Sequence, residues 1–351
     1  KQLKQIIAAG KERTVSHVNQ DILEEAWAPI GYRRKNKPPI ALISLGIIVF
    51  AIAIVLSPPS QNWIALTYNA LAKTVRIAVD LTIVAAIALF VSILFTPLEA
   101  LSWWAGWSED RPLEYPGTRV KDPKGDLPAS RYVVYLDGIN QGSFQYLPEV
   151  NLLLDALAEA TPSDVLIVKG IMPYSVDNRP LTENRLLSFL WRAIDSIAIK
   201  NPTHPVAAIV NIRNLVAVAV AADPRYGPIQ NQALAQVLFE SLLHFGYRVG
   251  SKAPITLIGY SGGGQMSLGA VSFLKQATGA PIEVISLAGV MSGNGGTMEV
   301  ERLYHLVGEK DLVEKIGAIM FPGRWQIAIL SNWNRAKRRG KINFISLGNV
   351  A

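Results

Sequence analysis

The chain of 351 residues contains no cysteine and only four histidines. The first absence excludes disulfides, cysteine-ligated zinc, iron–sulfur clusters and a thiolate nucleophile. The second leaves too few imidazoles for a multi-histidine metal centre, and no metal or cofactor is expected. Charge is scarce as well: 17% of residues are Asp, Glu, Lys or Arg, against about 25% in an ordinary soluble domain. Half of the residues are apolar. That excludes global disorder, because so apolar a chain offsets its ordering entropy by burial. A phosphate-cradling G-x-x-x-x-G-K-S/T loop is also missing, since the run Gly262, Gly263, Gly264 is not followed by lysine.

What is present begins with two hydrophobic runs. Residues 40–56 (IALISLGIIVFAIAIVL) carry no charge, and residues 77–98 include only Asp80 in their apolar part, with Glu99 just beyond. A bilayer core takes about 20 helical residues, within a range near 17–25. The flanks fit membrane spans: Arg33, Arg34, Lys35 and Lys37 precede the first run, and Trp103, Trp104 and Trp107 follow the second. The two runs are therefore expected to form a transmembrane hairpin within residues 40–107. Residues 1–39 hold eight Lys/Arg against four acids, while the connecting loop has only Lys73 and Arg76. The positive-inside bias then puts the N-terminal segment, and everything after the hairpin, on the cytoplasmic side. The net charge of +7 resolves into +4 from residues 1–39 and +5 from Arg335, Lys337, Arg338, Arg339 and Lys341, leaving −2 elsewhere. No nucleic-acid-binding face is implied. The basic blocks suit anionic lipid headgroups, or the C-terminal one is simply a solvated helix end.

Residues 108–130 are polar and rich in Pro and Gly, a linker by composition. From residue 131 the pattern becomes short apolar runs alternating with helical periodicity. Strands are expected at 132–136, 165–168, 255–258, 284–287, 303–307 and 342–347, with helices at 147–160, 229–245 and 262–276. That alternation means an α/β fold, a mostly parallel sheet covered by helices on both faces. Ligands of such sheets bind at the carboxyl ends of the strands. One strand, ITLI, runs there into Gly259-Tyr260-Ser261-Gly262-Gly263 and then a helix. This is G-x-S-x-G in the strand–turn–helix context of a nucleophile elbow. The turn is so tight that side chains at Gly259 and Gly263 would meet neighbouring backbone. The following helix N-terminus offers free N–H groups to a developing oxyanion.

With these motifs residues 131–351 resemble the α/β-hydrolase superfamily. A second element carries the resemblance: LYHLV ends in Gly308-Glu309-Lys310-Asp311, where that family places its acid. The resemblance implies Ser261 as nucleophile and Asp311 as the group that orients a histidine, with Glu309 as fallback. An N-cap for the helix after it is the plain alternative for Asp311. The oxyanion hole would use the Gly262 N–H and a second donor from the loop Asp137–Ser143. By resemblance that donor is Ile139, with Gly138 or Asn140 as alternatives.

The family's histidine follows the last strand, yet no histidine lies beyond His305. His305 is expected to pack mid-strand. Either the base lies past Ala351 or the domain is a decayed hydrolase. An insertion at about 172–228 contains two helical stretches, 186–199 and 206–222. The second has Asn211, Arg213 and Asn214 at its centre, which disfavours a third span. The insertion is expected to cap the serine with an apolar lining. Residues 316–330 read as a further helix, interfacial or packed on the surface. Together these features point to a membrane-anchored serine hydrolase of esterase or lipase type, cleaving an ester or thioester with a lipid or long-chain acyl group. Its partners would be membrane lipids, the acyl ester substrate and a membrane protein complex. The competing expectation is an inactive hydrolase-fold membrane protein, serving as scaffold or assembly factor.

Overall fold

A computed structural model describes residues 96–104, 115–123, 128–183 and 187–348, with single positions between Val75 and Ile93. The first hydrophobic run and most of the second lie outside the described residues. The described positions from Val75 to Ile93 are helical, and Val75, Ile83, Ile87 and Phe90 among them are exposed. Among the described residues no single helix is long and apolar enough to cross a membrane.

The chain order is α1 (Thr96–Trp104), β1 (Thr118–Lys121), β2 (Arg131–Leu136), α2 (Pro148–Ala160), β3 (Val165–Ile171), α3 (Ser188–Lys200), α4 (Ala207–Ala222), α5 (Gly227–His244), β4 (Ile255–Tyr260), α6 (Gly262–Thr278), β5 (Ile282–Leu287), α7 (Gly296–Glu299), β6 (Arg302–Val307), α8 (Leu312–Met320), α9 (Asn332–Arg338) and β7 (Ile342–Ser346). The strands form one seven-stranded sheet in the order β1-β3-β2-β4-β5-β6-β7. Every neighbouring pair is parallel except β1 with β3. The α/β architecture read from the sequence is therefore present.

The alternation of side chains along the strands divides the core. Tyr132, Val134, Leu136, Leu257 and Val284 pack with α4, α5 and α6 on one face. Val133, Tyr135, Ile167, Ile258 and Ile285 pack with Leu153, Leu154 and Leu157 of α2 on the other. Burial on both faces is why these strands read as continuous apolar runs. A third cluster joins Trp191 and Ile194 of α3 to Val210 of α4 and to Ile93. Fully burying one such side chain stabilises the fold by about 1.5–3 kcal/mol. α4 and α5 are together long and apolar enough for a membrane span, but they bend by 107° at the break between them. Ala217, Val218, Leu234 and Leu238 place both in the core.

Two local expectations need correction. Residues 118–121, inside the stretch read as a linker, form β1 on the sheet edge. The strand is four residues long and half exposed, so it carries no apolar periodicity. Its Lys121 ammonium caps the end of α2 through the Ala158 and Thr161 carbonyls. The helix read over 316–330 instead spans Leu312–Met320. Phe321, preceding Pro322, is extended (φ −105°, ψ 98°), because a proline disfavours the helical conformation of the residue before it.

Candidate active site

Ser261 follows the central strand β4 and precedes α6, at the carboxyl end of the sheet. Its backbone lies at φ 50°, ψ −118°, a region that costs a residue with a Cβ about 1–3 kcal/mol and persists only where the surroundings over-determine it. Three hydrogen bonds do so. The Ser261 N–H donates to the Leu287 carbonyl at 2.9 Å, and the Ser261 carbonyl accepts from Gly264 and Val290. The flanking glycines are required by contact. A Cβ at Gly263 would stand 2.5 Å from the Leu136 carbonyl oxygen, and one at Gly259 would overlap the Gly263 carbonyl.

Gly262 and Ile139, the two expected oxyanion donors, meet at this turn: a Cβ on Gly262 would lie 2.6 Å from Ile139 Cγ2 and 3.0 Å from the Tyr174 hydroxyl. Neither residue's N–H is taken by a backbone carbonyl among the described residues. The 138–141 loop is held from the insertion. Asn214, fully buried in α4, donates at 2.8 Å to both the Ile139 and Gln141 carbonyls. Its neighbour Arg213 donates to the Tyr174 carbonyl and pairs with Glu99 of α1 at 3.0 Å. These polar groups were visible in the sequence as a cluster inside an apolar helix, but nothing local said what they brace.

Asp137 begins the same loop and is buried with no cation among its hydrogen-bond partners. Burial pushes its carboxyl up to about 6, against the opposing effect of the bonds donated by the Gly138 N–H and the Tyr135 hydroxyl. Tyr260, next to Ser261, is pushed up to about 12, first by burial and then by the negative charges of Asp137 and Asp311. Asp311 is thus within electrostatic reach of the elbow. It is buried, and its Oδ1 accepts the Glu314 N–H at 3.1 Å, capping α8. Glu309, the fallback acid, accepts from Ser346 on the surface.

No histidine among the described residues bonds to Ser261. His244 ends α5 beside Gly246, whose carbonyl binds Tyr132 at the amino end of β2. The His204 Nδ1 accepts the Val206 N–H. His305 is fully buried mid-strand, as expected, and its Nδ1 and Nε2 lie 3.2 Å from Ser286 Oγ and 3.3 Å from Glu314 Oε1. Glu314 is held down to about 2 by that histidine contact and by Arg324 at 2.6 Å. An ionised Glu314 makes Nε2 the protonated nitrogen and Nδ1 the acceptor of the Ser286 hydroxyl. Ser286, His305 and Glu314 therefore have the connectivity of a catalytic triad without its access, because Ser286 and His305 are both fully buried. Burial also lowers the affinity of His305 for a second proton.

A groove of about 550 Å³ runs along α6 beyond the elbow, between Asn231, Gly269, Phe273, Ser292 and Phe321; Ser261 does not line it. No group of acidic and histidine side chains suited to a metal occurs among the described residues. No family model matches the chain, and comparison with curated proteins and with solved structures returns no match.

Proposed function

We propose that the chain is a membrane-anchored serine hydrolase of the α/β-hydrolase type. In this reading Ser261 attacks the carbonyl of an ester or thioester; the tetrahedral intermediate expels the alkoxide or thiolate, which takes up the proton removed from the serine, and water then hydrolyses the remaining acyl-serine to the free acid. The N–H groups of Gly262 and Ile139 hold the oxyanion, one such donor being worth about 10²–10³ in kcat. Asp311 orients the base that accepts the serine proton. The observation that carries the reading is the strained Ser261 backbone between two glycines that cannot carry a Cβ. A turn with no chemistry to perform would place glycine at φ 50°, not serine. The hydrophobic runs and their basic and aromatic flanks supply the membrane anchor, and a lipid or long-chain ester is the substrate class that suits this location.

The test is labelling of the full chain with a fluorophosphonate probe. Labelling of the wild type that disappears in Ser261→Ala is the expected result. Its absence from the folded wild type would refute the hydrolase. One observation favours a second reading, an inactive scaffold: the fully buried His305 is committed to Ser286 and Glu314 rather than to Ser261.

A further inference from the structure

The end of α8 and the segment after it turn their apolar side chains outward. Ile319, Met320, Trp325, Ile327, Ile329 and Leu330 are all exposed, Ile327 to 85% and Leu330 to 81%. Ordinary soluble surfaces scatter large apolar residues singly, and a contiguous group marks an interaction site. Part of the backbone of this segment is paired within it or by side chains of α9. The N–H groups of Trp325, Ala328 and Ser331 donate to the carbonyls of Pro322, Trp325 and Ala328, three residues earlier in each case. Asn334 Nδ2 donates to the Trp325 and Ala328 carbonyls at 2.7 and 2.9 Å, and the Arg338 guanidinium reaches the Ile329 carbonyl at 2.7 Å. The Trp325 indole donates to the Ile319 carbonyl. Each such pairing lowers the cost of bringing the loop to the water-poor edge of a bilayer, and the backbone groups left over at the interface keep water as a partner.

Beside it stands the C-terminal basic block. Arg335, Lys337, Arg338 and Arg339 are exposed on and just after α9, and no acid lies between residues 335 and 341. Apolar tips next to an unopposed row of cations match a bilayer interface, with acyl chains below and anionic headgroups at the rim. We infer that residues 319–330, with the basic residues at 335–341, form a docking surface for an anionic lipid bilayer. This contact is separate from the hydrophobic runs at 40–98 and does not rest on the chemistry of Ser261. Phe321 and Pro322 also form a wall of the groove along α6, so docking sets one wall of that groove at the lipid surface.

The natural absence of cysteine gives a clean test. Ile327→Cys in the full chain is labelled with the fluorophore NBD and reconstituted into vesicles of phosphatidylcholine, with or without about one-third phosphatidylglycerol. Quenching by doxyl-labelled lipid, together with shielding from aqueous iodide, is expected in the anionic vesicles and weaker in the neutral ones. The added changes Arg335→Gln and Arg339→Gln should lower the docked-to-undocked ratio about fivefold per charge removed. The same label at Ser251, an exposed turn residue, should stay accessible to iodide. A label at Ile48 reports separately on the proposed hairpin. No lipid quenching at position 327 overturns the inference whatever Ile48 reports. Shielding from iodide without lipid quenching also overturns it, since that means a protein segment or partner covers the patch.

Discussion

A carboxyl group with no cation paired to it among the described residues sits just past the end of β2. Asp137 is 2% exposed and held by the Tyr135 hydroxyl and the Gly138 N–H, yet burial still lifts its ionisation to about 6. In the unfolded chain an aspartate ionises near 3.9. Between those values the folded state holds the extra proton, so stability falls as pH rises through this window and then levels off. Above pH 6 the cost is roughly 3 kcal/mol, as an upper order of magnitude. Asp137→Asn keeps an oxygen for both donors and removes the charge. Urea denaturation should therefore show the variant about 1–3 kcal/mol more stable than wild type at pH 7.5 and nearly equal to it at pH 4. A variant less stable at pH 7.5 would mean that the ionised carboxylate makes a favourable contact there. The negative charge also lies in the loop that carries Ile139, where it opposes a developing oxyanion, so the same variant is expected to react no more slowly with the fluorophosphonate.

At the scale of elements, the elbow and its loop depend on a helix that is far away in sequence. Asn214 of α4 holds two carbonyls of the 138–141 loop, and Arg213 ties Tyr174 to Glu99. Asn214→Leu leaves two buried carbonyls without donors, at about 1–3 kcal/mol for each unsatisfied group. The expected outcome is a lowered urea midpoint, with fluorophosphonate labelling slowed because Ile139 is no longer held against Gly262. Labelling at the wild-type rate would show that the loop does not depend on α4. This dependence marks what could and could not be read from the residues alone. The turn at Ser261 was legible because its glycines, its strand and its helix are contiguous, and steric limits act over a few bonds. The parallel sheet was legible because its strands are apolar on both faces. β1 was not, since a four-residue half-exposed edge strand is defined by its partner rather than by its pattern. The end of α8 was missed because apolar periodicity carried the reading past Phe321, although the rule for residues before proline marks that stop. The contact of Ser286 with Glu314 through His305 joins residues 19 and 9 positions from the histidine, and no spacing rule selects it.

For the whole molecule, the distribution of apolar surface and of charge makes one topological scheme. Residues 1–39 and 335–341 hold the net positive charge, and the inferred docking surface lies next to the second of these blocks. α1, which begins in the last residues of the second hydrophobic run, is fastened to the α/β domain by the Glu99–Arg213 pair, in which Arg213 is 3% exposed at its side chain. Ile93, within the run itself, packs with Trp191 of α3. In the proposed arrangement, with this run as a membrane anchor, the pair and the cluster limit how far the domain can turn away from the bilayer. The proposed hairpin and orientation put the N-terminus and the α/β domain together on the cytoplasmic side, where anionic lipid is concentrated. Single cysteines at Gln5 and Ser251 separate the alternatives with a membrane-impermeant maleimide. Both should react in inside-out vesicles and neither in right-side-out ones. Reaction of the two on opposite sides would mean an odd number of spans and end the hairpin proposal. Reaction of both from outside would leave the hairpin standing and reverse its orientation, placing the basic blocks against the leaflet with the less negative surface and removing the electrostatic reason for docking.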